Sequence, residues 1–214
     1  MITAVSELLP EGGIFVSGKP LTDIWGPPGL RWIDKLTVNL PDPLLHPFLV
    51  FTRNDKAHFD LDNLAHPVLH AAGTAQCESV WALLKTGGPE GVQVREAVPP
   101  LPPVGDGTIS VHIAHPSTGS VVDRDPVPEL SAVTVFGRDE PVGLALQFDS
   151  PDVAVGELSY EGPVKSLIDD LGPLLGHREL RGRMEANDER VRELRITRGH
   201  DPERAGVAVT LWRL

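Results

Sequence analysis

The residues best suited to chemistry lie in one short segment, Asp60-Leu61-Asp62-Asn63-Leu64. Alternate residues of an extended segment point to the same side, so Asp60 and Asp62 would present their carboxylates together. With a third carboxylate, this pair could hold Mg²⁺, which prefers hard oxygen ligands. An ion held in this way can activate water and stabilise the departing oxygen in phosphodiester cleavage. The simpler interpretation is a helix cap beside a solvated acid.

Three histidines surround the same segment and suggest a second kind of site. His66 and His70 are four residues apart, which places them on one face of a helix, and His58 precedes them. Imidazole nitrogens at this spacing can bind a transition metal such as zinc. Separate surface histidines are the alternative explanation.

The segment must be positioned by a strand before it and a helix within it. Residues 48–52 are rich in β-branched and aromatic side chains, which predicts a strand. Residues 64–72 carry apolar side chains at helical spacing, with Asp62 or Asn63 as the cap, Pro67 in the first turn and Gly73 as the end. The remaining pattern predicts a helix at 163–171 and strands at 14–17, 80–84, 91–95, 108–113, 131–136, 142–148, 190–198 and 205–212.

The bulk composition restricts the partners that the chain can have. Its 214 residues carry 19 basic and 30 acidic side chains, for a net charge of -11. A negative protein repels phosphate backbones at long range, so general affinity for nucleic acid is not expected. The single cysteine, Cys77, excludes an internal disulfide and fits a buried, inert thiol. No apolar run is long enough to span a membrane, so we expect a cytoplasmic protein without a membrane partner.

A proline-rich stretch divides the chain into two halves that resemble each other. Residues 99–103 read Pro-Pro-Leu-Pro-Pro, a stiff linker, so we place boundaries at 1–98, 99–106 and 107–214. The two predicted helices align at an offset of 99 residues, which sets His66 against Lys165 and His70 against Asp169. The order of strand, helix, acidic turn and strand is the same in both halves, which indicates a duplication. A chance match between two strand-rich segments is the alternative.

The acidic segment resembles the hallmark of the RusA family of Holliday junction resolvases. In that family a motif like Asp-Leu-Asp-Asn-Leu is followed by a Lys, often a Pro, an Asp four residues after the Lys, and an acidic turn before the next strand. Here Asp60 to Leu64 matches the motif, Pro67 matches the frequent Pro, and Glu78 occupies the position of the third acid. The resemblance covers about residues 13–96. It implies a Mg²⁺-dependent nuclease that cuts branched DNA and works as a homodimer.

The two halves depart from the family pattern in complementary ways. In the first half His66 and His70 replace the family's Lys and Asp, and the acidic pair is reduced to Cys77-Glu78. The second half has Lys165, Asp169 and the pair Asp188-Glu189, but its first motif is reduced to Ser159-Tyr160-Glu161-Gly162. The family's basic N-terminal helix has no counterpart. One composite site across the two halves and erosion of both sites remain as alternatives.

We therefore expect an α/β (α+β) fold of two RusA-like repeats, each a small mixed sheet with one main helix, arranged as a monomeric pseudo-dimer or a homodimer. As an enzyme it would be a Mg²⁺-dependent endodeoxyribonuclease for branched DNA, with Asp60, Asp62 and Glu78 as metal ligands and His66 or Lys165 on the phosphate. The alternative is an inactive fold relative that serves as a binding module. The simpler interpretation of Lys165 and Asp169 is an i,i+4 surface pair.

Overall fold

In the computed structural model of the chain, the described residues are 6–8, 13–20, 34, 40, 44–54, 60–73, 77–114, 136–137, 140–149, 153–156, 158, 162–180, 183–199 and 206–214. Within them the helices are α1 (Leu61–Ala71), α2 (Pro163–Asp170) and α3 (Gly172–Leu175), with a 3₁₀ turn at Asp188–Arg190. The strands are β1 (Ser6–Leu8), β2 (Ile14–Ser17), β3 (Pro47–Thr52), β4 (Ser79–Lys85), β5 (Gly91–Glu96), β6 (Thr108–Ile113), β7 (Val142–Phe148), β8 (His177–Leu180), β9 (Arg183–Ala186), β10 (Val191–Arg198) and β11 (Val207–Arg213).

Nine of these strands form one mixed sheet in the order β1-β2-β5-β3-β4-β10-β7-β11-β6, and β8 and β9 form a separate hairpin. The expected mixed α/β architecture is therefore confirmed. No helix among the described residues is long and apolar enough to cross a membrane.

The strands of each half pair in the same way. In the first half β5 runs antiparallel to β2 and β3, and β3 runs parallel to β4. In the second half β11 runs antiparallel to β6 and β7, and β7 runs parallel to β10. The antiparallel pair of β4 and β10 joins the halves at the centre. One buried cluster of apolar side chains continues through both, so the halves share a sheet and a core.

Most of the predicted strands lie where the sequence pattern placed them, because apolar alternation reports burial on a sheet directly. Strands predicted at 14–17, 108–113 and 142–148 have those bounds in the structure. The strand predicted at 80–84 lies within β4. A strand was predicted at 131–136. Of these positions, 131–135 lie outside the described residues, and Phe136 is not in a strand.

Helix α1 begins earlier than the sequence pattern predicts. It starts at Leu61 and is preceded by Asp60, so Asp60 rather than Asp62 or Asn63 is the cap residue. The early start occurs because Leu61 is itself buried and belongs to the packed face. Pro67 consequently lies inside the helix rather than in its first turn. Gly73 adopts a φ of 64° directly after the helix, which confirms it as the end.

The linker between the halves is attached to the centre of the sheet. Residues 97–104 have no regular structure, but Arg195 of β10 donates hydrogen bonds to the carbonyls of Pro100 and Leu101 at 3.0 and 2.8 Å. The same guanidinium lies 4.5 Å from the ring centre of Trp212 and pairs with Glu193 at 2.7 Å. The chain therefore crosses from one half to the other along a fixed path.

Candidate active site

The ammonium group of Lys165 lies among carboxylates from both halves of the chain. Its Nζ is 2.9 Å from Asp62 of the first half, and 2.8 and 3.3 Å from Asp169 and Asp188 of the second. Lys165, Asp62 and Asp188 are only 3 to 4% exposed. The expected pair of Lys165 and Asp169 is present, but its expected place on the surface is wrong, because α2 turns Lys165 toward the core. The first turn of α1 adds the carboxylate of Asp62 to this pair.

Strand direction explains why two of these acids meet. Helix α1 follows the end of β3, and β3 is parallel to β4, so Asp60 and Asp62 come after the strand ends at that edge of the sheet. Because β10 is antiparallel to β4, its first residues lie at the same edge. Asp188 stands in the 3₁₀ turn just before β10. The central strand pair therefore brings acids from the two halves together.

A second cation, Arg178 of strand β8, completes the cluster. Its guanidinium lies 3.4 Å from Asp60 and 3.5 Å from Asp188, and it also forms an ion pair with Glu189. Asp60 additionally accepts a hydrogen bond from the side-chain amide of Asn63 at 2.8 Å. We call the group of Asp60, Asp62, Lys165, Asp169, Arg178, Asp188 and Glu189 the composite cluster. In it, five carboxyl groups share two cations, which leaves an excess of negative charge.

Burial and crowding shift the proton affinities of the cluster. Burial, followed by the nearby carboxylates of Asp188 and Asp62, raises the pKa of Asp60 to about 7. Burial alone would lower the pKa of Lys165, but the three surrounding carboxylates outweigh it and raise that pKa above its usual value. Lys165 is therefore a fixed positive charge. Its ammonium is enclosed by carboxylates, so the arrangement leaves it little surface with which to contact a phosphate.

Glu78, the third metal ligand expected from the sequence, does not join the cluster. It precedes β4, whereas Asp188 precedes β10, and these two strands run in opposite directions. The backbone carbonyl of Glu78 accepts a hydrogen bond from Arg198, at the far end of β10. Seven residues of β4 at about 3.3 Å each place the two strand ends about 20 Å apart. Glu78 therefore cannot share an ion with Asp60 and Asp62.

The histidines lie along α1, beyond its acidic first turn. His66 is half-buried and His70 is exposed, and their ring centres are 6.1 Å apart. His58 lies outside the described residues. Cys77 is buried, as predicted, and burial raises its pKa to about 12, which disfavours the reactive thiolate.

Sequence reasoning underrated three members of the cluster. Acidic and arginine side chains are interspersed along residues 178–198, a pattern typical of a solvated, mixed-charge surface, and it includes Asp188, Glu189 and Arg178. Asp188 is instead buried, and Arg178 is drawn onto the acids by the hairpin of β8 and β9. The available signal was the match of Asp188-Glu189 to the acidic turn of the RusA pattern, in the same half as Lys165 and Asp169.

The donor chemistry of the cluster suits Mg²⁺, although two cations stand beside those donors in this arrangement. Asp60, Asp62 and Asp188 offer hard carboxylate oxygens, and the buried Oδ1 of Asp188 lies 3.5 Å from the guanidinium of Arg178. Within the part of the chain that the structure describes, no group of three or more Asp, Glu, His or Cys side chains is already arranged to hold a metal. An ion would have to take over the carboxylates from Arg178 or Lys165. Its natural ligands would be Asp60, Asp62 and Asp188.

Replacing Lys165 by a neutral residue should destabilise the fold, because it leaves the buried acids without their counter-charge. In Lys165→Met, Asp62 and Asp188 lose their central counter-charge, and we expect the free energy of unfolding to fall by about 3 kcal/mol. Urea denaturation measures this loss. Lys85 is exposed at the end of β4, so Lys85→Met serves as the matched control and should change stability by less than about 0.5 kcal/mol. Equal effects of the two substitutions would contradict the central role of Lys165.

The raised pKa of Asp60 predicts a particular pH dependence of stability. Because its carboxyl binds a proton more tightly in the folded state, its contribution is fully present below about pH 4 and is lost as the pH rises to about 7. In metal-free buffer, wild type should therefore lose on the order of 2 kcal/mol relative to Asp60→Asn between pH 5 and pH 8. Asp106 is exposed, so the difference in free energy of unfolding between wild type and Asp106→Asn should not change with pH. A flat difference for Asp60→Asn as well would refute the raised pKa.

In comparisons with known proteins, no protein-family model, no curated protein and no solved structure matches the chain. What the chain does must therefore be argued from the composite cluster itself.

Proposed function

We propose that the protein is a divergent RusA-like, Mg²⁺-dependent endodeoxyribonuclease that acts on branched DNA, with its active site at the composite cluster. One observation carries the proposal. Asp60 and Asp62 come from the half that lacks the family's Lys and acidic pair, and Lys165, Asp169 and Asp188 come from the half that lacks the first motif. The residues that each half has lost are supplied by the other, within ion-pair distance of Lys165 and Arg178.

The proposal includes an internal duplication that yields a pseudo-dimer. The identical pairing of strands in the two halves supports it, since β2, β3, β4 and β5 correspond in order and direction to β6, β7, β10 and β11. The main helix follows the corresponding strand in both halves, α1 after β3 and α2 after β7. Two unrelated segments would rarely agree in the pairing of four strands and in the place of the helix, although the β1–β2 pair and the β8–β9 hairpin have no counterparts among the described residues. A homodimer of such chains remains open.

In the proposed enzyme, the residues of the cluster would have distinct roles. Asp60, Asp62 and Asp188 would hold Mg²⁺, which would supply Lewis-acid stabilisation of the charge on the phosphate. Lys165 is a positioning residue, because its buried charge holds Asp62, Asp169 and Asp188 together. Arg178, whose side chain is 19% exposed, is the cation better placed to meet a phosphate. It would exchange its carboxylate partners for the substrate phosphate, which a guanidinium can bind through two parallel hydrogen bonds.

The choice of DNA as substrate rests on the RusA resemblance alone. The net charge of -11 works against long-range attraction of a phosphate backbone, so DNA binding must come from local contacts and will be weak at physiological salt. His66 on α1 is a further candidate for a contact with the phosphate backbone.

A second function, that of an inactive relative serving as a binding module, is favoured by the burial of the cluster. Asp62 and Asp188 line one small cavity together with the aliphatic side chains of Leu144, Ile168 and Leu194. A cluster closed in this way can persist as a structural salt-bridge network after catalysis is lost. This reading predicts that Mg²⁺ and Mn²⁺ leave the melting temperature unchanged.

Cleavage of a synthetic four-way DNA junction with Mg²⁺ tests the proposed activity. Wild type should cut the junction, and Asp62→Asn and Asp188→Asn should each lose about 100-fold in rate, because each removes a carboxylate from the metal. Glu78→Gln discriminates between the two candidate sets of ligands, since its position about 20 Å away predicts a rate within about twofold of wild type.

Asp106→Asn provides the surface control for this experiment. Equal rates in wild type, Asp62→Asn and Asp188→Asn would remove the assigned roles. Absence of cleavage together with an unchanged melting temperature in Mg²⁺ would instead establish the binding-module alternative over the nuclease.

A further inference from the structure

We infer that the proline segment between the two halves, Val98 to Val104, is a binding site for a partner protein. The partner would be one that reads polyproline II helices through a groove lined by aromatic rings. Such binding would need neither the composite cluster nor nuclease activity, because the proline segment is a separate feature of the chain.

The sequence of the proline segment leaves its backbone few conformations other than polyproline II. It reads Val-Pro-Pro-Leu-Pro-Pro-Val. A proline ring fixes φ at about −65°, and the residue before a proline is restricted to extended conformations. Every residue from Val98 to Pro103 is therefore restricted in at least one of these ways. Because a polyproline II helix has three residues per turn, residues three apart share one edge of it.

Burial along the proline segment follows this threefold period. Pro99 is buried and Pro102 is half-buried, so the edge that they share faces the protein. The edge with apolar side chains faces outward, since Val98, Leu101 and Val104 are 67, 89 and 97% exposed. The third edge is exposed at both of its prolines. Two of the three edges are therefore open to a partner.

Exposed apolar side chains are concentrated along this part of the chain. Among the described residues five large apolar side chains are exposed, and three of them belong to the proline segment. The other two lie beside its ends. The backbone N–H of Leu45 donates to the carboxylate of Glu96 at 3.1 Å. Leu214 follows Arg213, whose N–H donates to the carbonyl of Gly107 at 3.3 Å. Single exposed apolar residues are ordinary, but a group of them gathered in one place marks an interaction site.

The proline segment is held in place on the sheet before any partner binds. Arg195 of β10 donates hydrogen bonds to the carbonyls of Pro100 and Leu101 at 3.0 and 2.8 Å. Its guanidinium is in turn held by Glu193 at 2.7 Å and lies 4.5 Å from the ring centre of Trp212. A ligand that is already fixed in its bound conformation loses little conformational entropy on binding. The exposed edges are therefore presented as a rigid ligand.

The shape of this surface favours a groove over a second copy of the chain. Seven residues of polyproline II span about 22 Å, so the exposed edges form a short, narrow strip. A stable dimer of standard size buries about 800 Å² on each partner, which calls for a broader surface than one such strip. A groove lined by aromatic rings encloses a polyproline II segment from two sides and suits a strip with two open edges.

The charges around the proline segment restrict the partner further. The exposed acids Glu96 and Asp106 flank the segment on its two sides. The nearby cation Arg213 is paired with Glu140 at 3.3 Å. A groove with basic residues at its rim would therefore complement this surface.

Titration of the full-length protein with purified WW, SH3 and EVH1 domains tests the inference, because each of these domains reads polyproline II segments. Calorimetry should show saturable binding of at least one of these probes, with one domain per chain. Leu101→Asp and Val104→Asp should each weaken this binding by about tenfold, because an acid replaces an apolar contact. Both positions are exposed, so the melting temperature should not change.

Ser110→Asp is the matched control, since it adds the same charge at an exposed position of β6 and should bind within about twofold of wild type. Failure of all three probes to bind in a saturable manner would overturn the inference, and so would equal affinity of wild type, Leu101→Asp and Val104→Asp. A dimer in analytical ultracentrifugation that dissociates in Leu101→Asp would also overturn it, because the proline segment would then bind a second copy of the chain.

Discussion

The ion-pair contacts of Lys165 are the interaction on which the rest of the structure depends. A buried ammonium group is costly unless its charge is fully compensated, and here the compensation comes from Asp62 of one half and Asp169 and Asp188 of the other. The buried carboxylates likewise need a compensating positive charge. Asp62 and Asp60 of the first half have Lys165 and Arg178 of the second half as counter-charges. The cluster therefore links the halves energetically at the point where β4 and β10 link them through the backbone.

The same contacts bear on both proposed functions. Acids that are crowded enough to raise the pKa of Asp60 to about 7 attract a divalent cation, because a metal relieves the repulsion that the proton otherwise relieves. Yet Lys165 and Arg178 already supply positive charge, and a network of this kind is stable without any metal. Catalysis therefore depends on whether Mg²⁺ can compete with Arg178 for Asp60 and Asp188.

The sequence predicted local elements well and long-range neighbours incompletely. Strands such as β7 and the buried face of α2 follow from alternation and helical spacing, which are local properties of the chain. The burial of Lys165 and Asp188 is not local, since it depends on the first turn of α1 lying against the other half. Glu78 shows the converse error. Its place in the RusA pattern is correct in order, but a motif position does not say at which end of an antiparallel pair a residue will lie.

A double-mutant cycle between Asp62 and Lys165 tests the central claim most directly, because these residues lie in different halves and meet only in this fold. The free energies of unfolding of wild type, Asp62→Asn, Lys165→Met and the double variant give their coupling energy. We predict a favourable coupling on the order of 1–3 kcal/mol, as measured for contacting charged partners. A coupling below about 0.3 kcal/mol, the additivity expected for distant sites, would contradict a composite cluster built from both halves.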